Sequence, residues 1–380
     1  MSRVSVMSRV CLMSRVSVMS RVSPLLAVPL VLLAALAGAA PSASSVADDA
    51  KLQFENGYLR RAAAACEQRL AANARDAEAG AVLSRIRSAQ GDMDQALKLA
   101  NAAVAADPKN ADAQYALSEY YGRKARDAGM LSAAGLAGKM RKAADAALAI
   151  DPHHLDALEI DVDFFTMAPG FMGGDKKKAA EYTERIAQVD AVAGWLKKGE
   201  NALRAKDTTL AGQCFAHAAE VQPASGRALV QLASWLAQPW RDPARSEKLA
   251  LQIVQAEPWR TGGWQVLASL YAFQDRYAEL DDVLKRSEAA EPSHLSPWYQ
   301  AGRQLVVSHK DPGRAESYLR HYLSKEPEIG AQSWAAARWR LALALEQQGK
   351  KTEAIGELTT AVRLDPKLED AKKDLKRLRG

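Results

Sequence analysis

Residues 261–292 read TGGWQVLASLYAFQDRYAELDDVLKRSEAAEP. Trp264, Leu267, Ala268 and Tyr271 recur at three- and four-residue spacing, the pattern of one apolar stripe on a helix. Leu280, Val283 and Leu284 repeat that pattern after the polar break Gln274-Asp275-Arg276. Glu291-Pro292 then stops the second helix, because proline removes a backbone donor and clashes with the preceding turn. The stretch is therefore a two-helix hairpin. Working outward, prolines preceded by Asp, Glu or Gln stand at 108, 152, 223, 258, 292, 327 and 366, at intervals of 44, 71, 35, 34, 35 and 39. With 71 taken as two units, every interval is 34 residues plus a small insertion, so the hairpin is one of a tandem array.

The other units carry the same residues. Trp195 and Gly199 are followed by Ala211, Phe215, Ala218 and Pro223; Trp298, Ala301 and Gly302 lead to Ala315, Leu319, Tyr322 and Pro327. The last unit holds Leu341, Ala342, Leu345, Gly349, Ala354, Leu358, Ala361 and Pro366, and the first clear one Leu83, Gly91, Ala96, Ala103 and Pro108. Over residues 77–366 this pattern resembles the tetratricopeptide repeat family, which implies an all-α fold: a right-handed α-α superhelix (solenoid) of about eight repeats. Small residues at Gly199, Ala268, Gly302 and Ala342 let paired helices approach, and Gly91 and Gly349 turn the chain between them. One such hairpin cannot bury its own apolar face, and stacking does it instead. Residues 48–76, with Tyr58, Ala62, Cys66 and Leu70, read as a degenerate leading repeat. Residues 367–380 read as a capping helix, with Leu368, Ala371, Leu375 and Leu378 on one side and charges elsewhere.

Two units depart from this plan. Residues 126–138 (RDAGMLSAAGLAG) are expected to lengthen the turn inside the second repeat, and residues 167–175 (MAPGFMGGD) the turn inside the third. This pair of insertions is similar to that of a subgroup of exported bacterial tetratricopeptide proteins carrying an AP-G-x-x-GG turn, a resemblance that bears on fold and location only.

The chain has 380 residues, 48% of them hydrophobic and 25% charged, which excludes wholesale disorder and a polytopic membrane protein. The net charge of +6 invites a nucleic-acid reading, but its distribution opposes one. Residues 1–47 hold four arginines and no acid, and the last fourteen residues hold six Lys+Arg against three Asp+Glu. The body between them sums to −1. No nucleic-acid partner is expected. The first 24 residues repeat MSRVSV-like hexamers, and Met19 is a candidate true start. From Met19, Arg21 and the 13 apolar residues Leu25–Ala37 form a secretory signal, with small-residue cleavage options at Ala37-Gly38-Ala39 or Ser45-Val46-Ala47. The apolar run falls short of the ~20 residues of a membrane span. The expected location is thus exported and periplasmic, the alternative being an inner-membrane anchor through an uncleaved segment. Cys66 and Cys214, 148 residues apart in alanine-rich helices, read as two core thiols.

No catalytic constellation stands out. There is no HExxH or CxxC spacing, His153 and His154 follow a helix-ending proline, and no GxSxG turn occurs. Neither an enzyme activity, a metal nor a cofactor is expected. The Gly-rich Gly170–Gly174 turn before Lys176–Lys178 is the best anion-site candidate, and this 167–178 loop supports the alternative of a ligand-handling or catalytic protein. Its order differs from the P-loop, and Asp175 would cap the helix in the anion's place. The resemblance implies instead a non-catalytic scaffold of the cell envelope, binding a partner peptide or helix in a concave groove lined by the first helix of each repeat. That geometry assigns Tyr115, Glu119, Glu159 and Asp163 to an acidic end. It assigns Gln231, Gln265, Tyr299, Gln300, Arg303, Trp339 and Arg340 to a basic, aromatic end. Trp195, Trp264 and Trp298 are expected in the packing between helices. The lysine and asparagine set of the carboxylate-clamp subgroup is missing.

Overall fold

The computed structural model describes residues 50–238 and 241–380, except the side chains of Met130 and Leu131. The hexamer repeat, the Met19 start and the secretory segment expected within residues 1–47 lie outside the described residues. Nineteen α-helices and no strand occur among the described residues. A leading pair, α1 (Ala50–Glu55) and α2 (Leu59–Ala72), comes first. Four hairpins follow: α3 (Ala77–Gln90) with α4 (Met93–Ala106), α5 (Ala111–Arg126) with α6 (Met130–Ile150), α7 (Leu155–Met167) with α8 (Lys176–Val189), and α9 (Ala191–Arg204) with α10 (Thr208–Val221). Four more complete the array: α11 (Gly226–Ala237) with α12 (Pro243–Ala256), α13 (Thr261–Phe273) with α14 (Tyr277–Ala290), α15 (Ser296–Val307) with α16 (Pro312–Leu323), and α17 (Trp334–Gln347) with α18 (Lys351–Leu364). The last helix, α19 (Glu369–Arg379), packs on α18. The chain is an all-α solenoid of stacked hairpins.

Local chemistry sets the helix ends. Asp76, Asp92, Asn110, Asp190, Asp207, Ser225 and Asp242 each accept a first-turn backbone N–H, satisfying donors that have no partner within the helix. The turn inside several hairpins holds a left-handed residue, glycine at Gly91 (φ 83°) and Gly349 (φ 77°). Lys206 (φ 63°), Asp275 (φ 60°) and His309 (φ 53°) take the same place in other repeats, which is why no glycine marks those turns in the sequence.

Between paired helices, the small residues act as expected. A Cβ on Gly199 would lie 2.3 Å from the Phe215 ring, and one on Gly302 would lie 2.7 Å from Leu319. Ala268 and Ala342 are fully buried. Trp264 is buried and donates to the Pro258 carbonyl (2.8 Å), while Trp195 and Trp298 stack on His217 and His321. Cys66 and Cys214 are buried free thiols, and burial pushes the Cys66 thiol up to about 11. From Ala233 to Leu378 the buried side chains form one continuous core, closed at its end by Ala371 and Leu378 of α19. The first half is divided into separate smaller clusters.

The 126–138 insertion does not lengthen a turn. Its turn is short, and residues 130–138 form the first part of α6, which runs for 21 residues against 12 to 14 in the other second helices. Alanine and leucine in LSAAGLAGK favour helix, and the helix simply starts early. The 167–175 insertion is a turn, with a single 3₁₀ turn at Gly170–Met172.

The leading pair touches repeats far along the chain. The Tyr58 hydroxyl donates to the Trp259 carbonyl, and Arg61 pairs with Glu291 at 2.7 Å. Arg60 donates its backbone N–H to Glu328 (3.0 Å) and its guanidinium to the Pro327 carbonyl (2.8 Å), and pairs with Glu326 (2.7 Å). Ile329 joins the apolar cluster of Ala50, Ala62 and Ile86. The ten-residue connection 324–333, source of the long 39-residue interval, is thus a docking segment for α2. The array closes on itself through the loops that follow its second helices.

Candidate functional site: a polar trough on the first helices

The first helices of three consecutive repeats, α11, α13 and α15, form a trough of about 460 Å³. Val230, Gly262, Val266 and Val307 give it apolar wall, and Gln265, Gln300 and Arg303 give it polar groups. None of those three polar side chains makes a hydrogen bond or ion pair among the described residues; all are half-buried. Each sits on a helix held rigid by the continuous core beneath, where Leu267, Leu270, Ala301 and Leu305 are fully buried. Amide and guanidinium groups at fixed spacing, with no intramolecular partner, are ready donors and acceptors for an extended main chain.

The remaining expected groove residues are placed differently. Tyr115 is 7% exposed, closed between the Arg85 guanidinium (4.8 Å) and the His154 ring (5.2 Å). Tyr299 is 4% exposed and packs its ring against Tyr322 inside the core. Both tyrosines belong to the packing, since the first helix turns those positions toward its neighbours and not toward the concave face. Trp339 faces the capping helix, donating from Nε1 to Asp374 (2.8 Å), and Arg340 stacks on it at 4.0 Å. Trp339 thus joins α17 to α19.

The acidic end is a neutralised ladder. Glu119 pairs with Arg85 (2.7 Å) and Arg123 (3.0 Å), and Arg85 also reaches Asp156 (2.9 Å). The buried ammonium of Lys197 gathers Asp163 (3.1 Å), Glu200 (3.4 Å) and Glu159 (4.0 Å), with Arg204 on Asp163 at 2.7 Å. Burial pushes the Glu159 carboxyl up, against the pull of Lys197. Of the expected residues, only Gln265, Gln300 and Arg303 share one open surface.

Sequence reasoning missed Val230, Ser234, Ser269, Gln304 and Val307 in the trough. A signal for the first existed. The interval from Pro223 to Pro258 is 35, so the counterpart of Gln265 is Val230, one residue before Gln231.

A second, polar chamber of about 850 Å³ lies where the loops after the second helices meet α1. Ion pairs fill it: Lys51–Asp112 (2.9 Å), Arg85–Asp156 and Arg227–Asp190 (2.7 Å). His154 accepts the Ala157 N–H at Nδ1 and therefore donates from Nε2 to Asp112 (3.2 Å). That bond, with Lys51 behind it, holds the Asp112 carboxyl below its ordinary range. No group of three or more potential metal ligands occurs among the described residues. In the Gly-rich turn, Asp175 accepts the backbone N–H groups of Lys177 (2.9 Å) and Lys178 (3.2 Å), so a carboxylate already occupies that helix start. No helix among the described residues is long and apolar enough to cross a membrane.

Fold and trough define a helical-hairpin solenoid with a concave polar face. Comparison with protein families places the tetratricopeptide repeat model on residues 335–368, the hairpin of α17 and α18. That hairpin matches the tetratricopeptide repeat, and the seven hairpins before it share its helix–turn–helix plan. Among solved structures it is similar to a thermophilic tetratricopeptide protein of Thermus thermophilus (20% identity, 49% of this chain and 98% of that one, TM-score 0.40). It is also similar to a tetratricopeptide repeat protein of Parabacteroides merdae (13%, 70% and 99%, 0.45) and to yeast Tom70 (13%, 88% and 88%, 0.46). No curated protein matches the chain.

Proposed function

We propose that the protein is a non-catalytic scaffold of the cell envelope that holds an extended peptide of a protein partner in the α11–α13–α15 trough. The observation that carries this reading is the unengaged set Gln265, Gln300 and Arg303 on the two adjacent first helices α13 and α15. Repeat families differ in what they bind, and protein partners are their general use. The apolar Leu25–Ala37 stretch after Arg21 supports an exported, periplasmic protein. Among the described residues the trough is lined by amides, hydroxyls, one guanidinium and apolar side chains, which suits binding better than catalysis.

The test is site-specific photo-cross-linking in cells, with the reactive residue at Gln265 or Gln300 and a control at Leu251, exposed on a second helix. A discrete adduct from the trough positions, abolished by Arg303→Glu, is the expected result. Equal adducts from Leu251 would place the partner elsewhere.

A further inference from the structure

The two insertions, forty residues apart, meet to build a cleft that the repeat plan does not require. The early turns of α6 supply Ala134, Ala137 and Gly138 as one wall, and Phe164 with Phe171 and Met172 of the 167–175 turn supplies the other. The cleft holds about 730 Å³. Phe171 is 84% exposed and Met167 69%, more than any other large apolar side chain among the described residues. Phe171 therefore stands as an open lip. An apolar patch of this kind, rimmed by charge, marks a place for an apolar ligand.

At the cleft's polar end stands Arg141. Its guanidinium lies over the Phe164 (5.2 Å) and Phe165 (4.6 Å) rings. Its ion pairs are long, 3.5 Å to Asp161 and 3.6 Å to Asp145, and neither is a hydrogen bond. Asp161 is wholly buried beside Arg141 and Tyr182, with no well-formed hydrogen bond to either of its oxygens. A buried carboxylate so placed costs stability. Here it lies beside the Nε of Arg141, a cation that lines the cleft. Lys142 lines the same end, and Lys139, Lys176, Lys177 and Lys178 nearby are exposed and make no ion pair among the described residues; Asp145 is the acid at the rim.

We propose that this cleft binds an anionic amphiphile. The acyl or aryl body lies between α6 and the 167–175 turn under Phe171, and the carboxylate or phosphate head rests on Arg141 and Lys142. The same chemistry comes from a free long-chain acid or from an acidic lipid in a bilayer. The site is separate from the trough, so neither reading depends on the other.

The experiment titrates the full chain with 11-(dansylamino)undecanoic acid and, in parallel, with its methyl ester. Saturable binding with one site, and at least tenfold preference for the acid, is expected. Phe171→Ser, at an exposed position, should weaken both probes tenfold or more. The double variant Arg141→Gln/Asp161→Asn, which neutralises the buried pair together, should abolish the preference and spare the ester. Circular dichroism and a Gln265→Ala control confirm that the fold persists and that the trough is not the probe's site. Flotation with phosphatidylglycerol vesicles then separates the sources. Co-flotation reduced by Phe171→Ser assigns bilayer lipid, and probe binding without a Phe171-dependent flotation assigns the free acid. Because the Leu25–Ala37 stretch is present in both proteins, its contribution cancels. Equal affinity for acid and ester, or variants that bind as the parent does, would overturn the proposal.

Discussion

Gly199 shows how a missing side chain shapes the array. The Phe215 ring occupies the space a Cβ would need, at 2.3 and 2.7 Å, and Phe215 is fully buried with no room to swing away. Gly199→Ala is expected to cost about 1–3 kcal/mol through overpacking, read from chemical denaturation. Asp161 gives a second prediction with a definite sign. Burial pushes its carboxyl up to about 6, so desolvation outweighs the attraction of Arg141. The folded state then binds the proton more tightly than the unfolded chain, whose group titrates near 4. Stability from this group is present at low pH and falls as pH rises from about 4 to 6. Asp161→Asn should therefore match the parent below pH 4 and exceed it at pH 7, by on the order of 1–3 kcal/mol. A flat difference across that window would mean that another group carries the pH dependence.

At the scale of elements, the eight hairpins were legible because helix period, acid–proline stops and small residues at fixed offsets all agree. The extra turns of α6 were not legible in that way. An insertion between two helices reads as a longer loop unless its composition is weighed, and residues 130–138 are themselves good helix formers. Groove residues were harder still. On a first helix, Tyr299 and Gln300 are neighbours in sequence but face core and trough respectively, so a register uncertain by one residue exchanges lining for packing. The division of the core also belongs to this scale. Helices α13–α18 share one continuous cluster with large side chains, whereas α5–α8 rest on small separate groups such as Tyr115, Ala147 and Ala157. In a solenoid, stability is a sum of repeat and neighbour terms, so these regions need not open together. Amides of α5–α8 should exchange with solvent at lower denaturant than those of α13–α18. Uniform protection along the chain would show that the array opens as one unit.

At the scale of the whole array, closure was invisible in the sequence because its partners lie more than 200 residues apart and include backbone carbonyls, which no motif encodes. Its contacts also differ in weight. Arg60–Glu326 is a surface pair, with 38% and 66% of the side chains exposed, and such pairs contribute about 0–1 kcal/mol. Arg61–Glu291 is different, since the Glu291 side chain is 9% exposed, and removing Arg61 leaves a buried carboxylate without its cation. Glu328, raised by burial, adds a main-chain contact that no side-chain substitution at residue 60 removes. Arg60→Ala alone should thus change little. Tyr58→Phe combined with Arg61→Ala should release the leading pair from the 258–294 loops. The expected result is a larger radius of gyration by small-angle scattering and faster exchange of the amides in α2, at unchanged helical content. Helicity stays because α2 keeps its own neighbour, packing Ala62, Ala63 and Cys66 on Ala79, Val82 and Ile86 of α3 whether or not the far loops are engaged. If the radius does not move, the Ile329 packing and the Arg60 contacts to Pro327 and Glu328 hold the closure, and Ile329→Ser combined with Arg60→Ala becomes the variant that opens it.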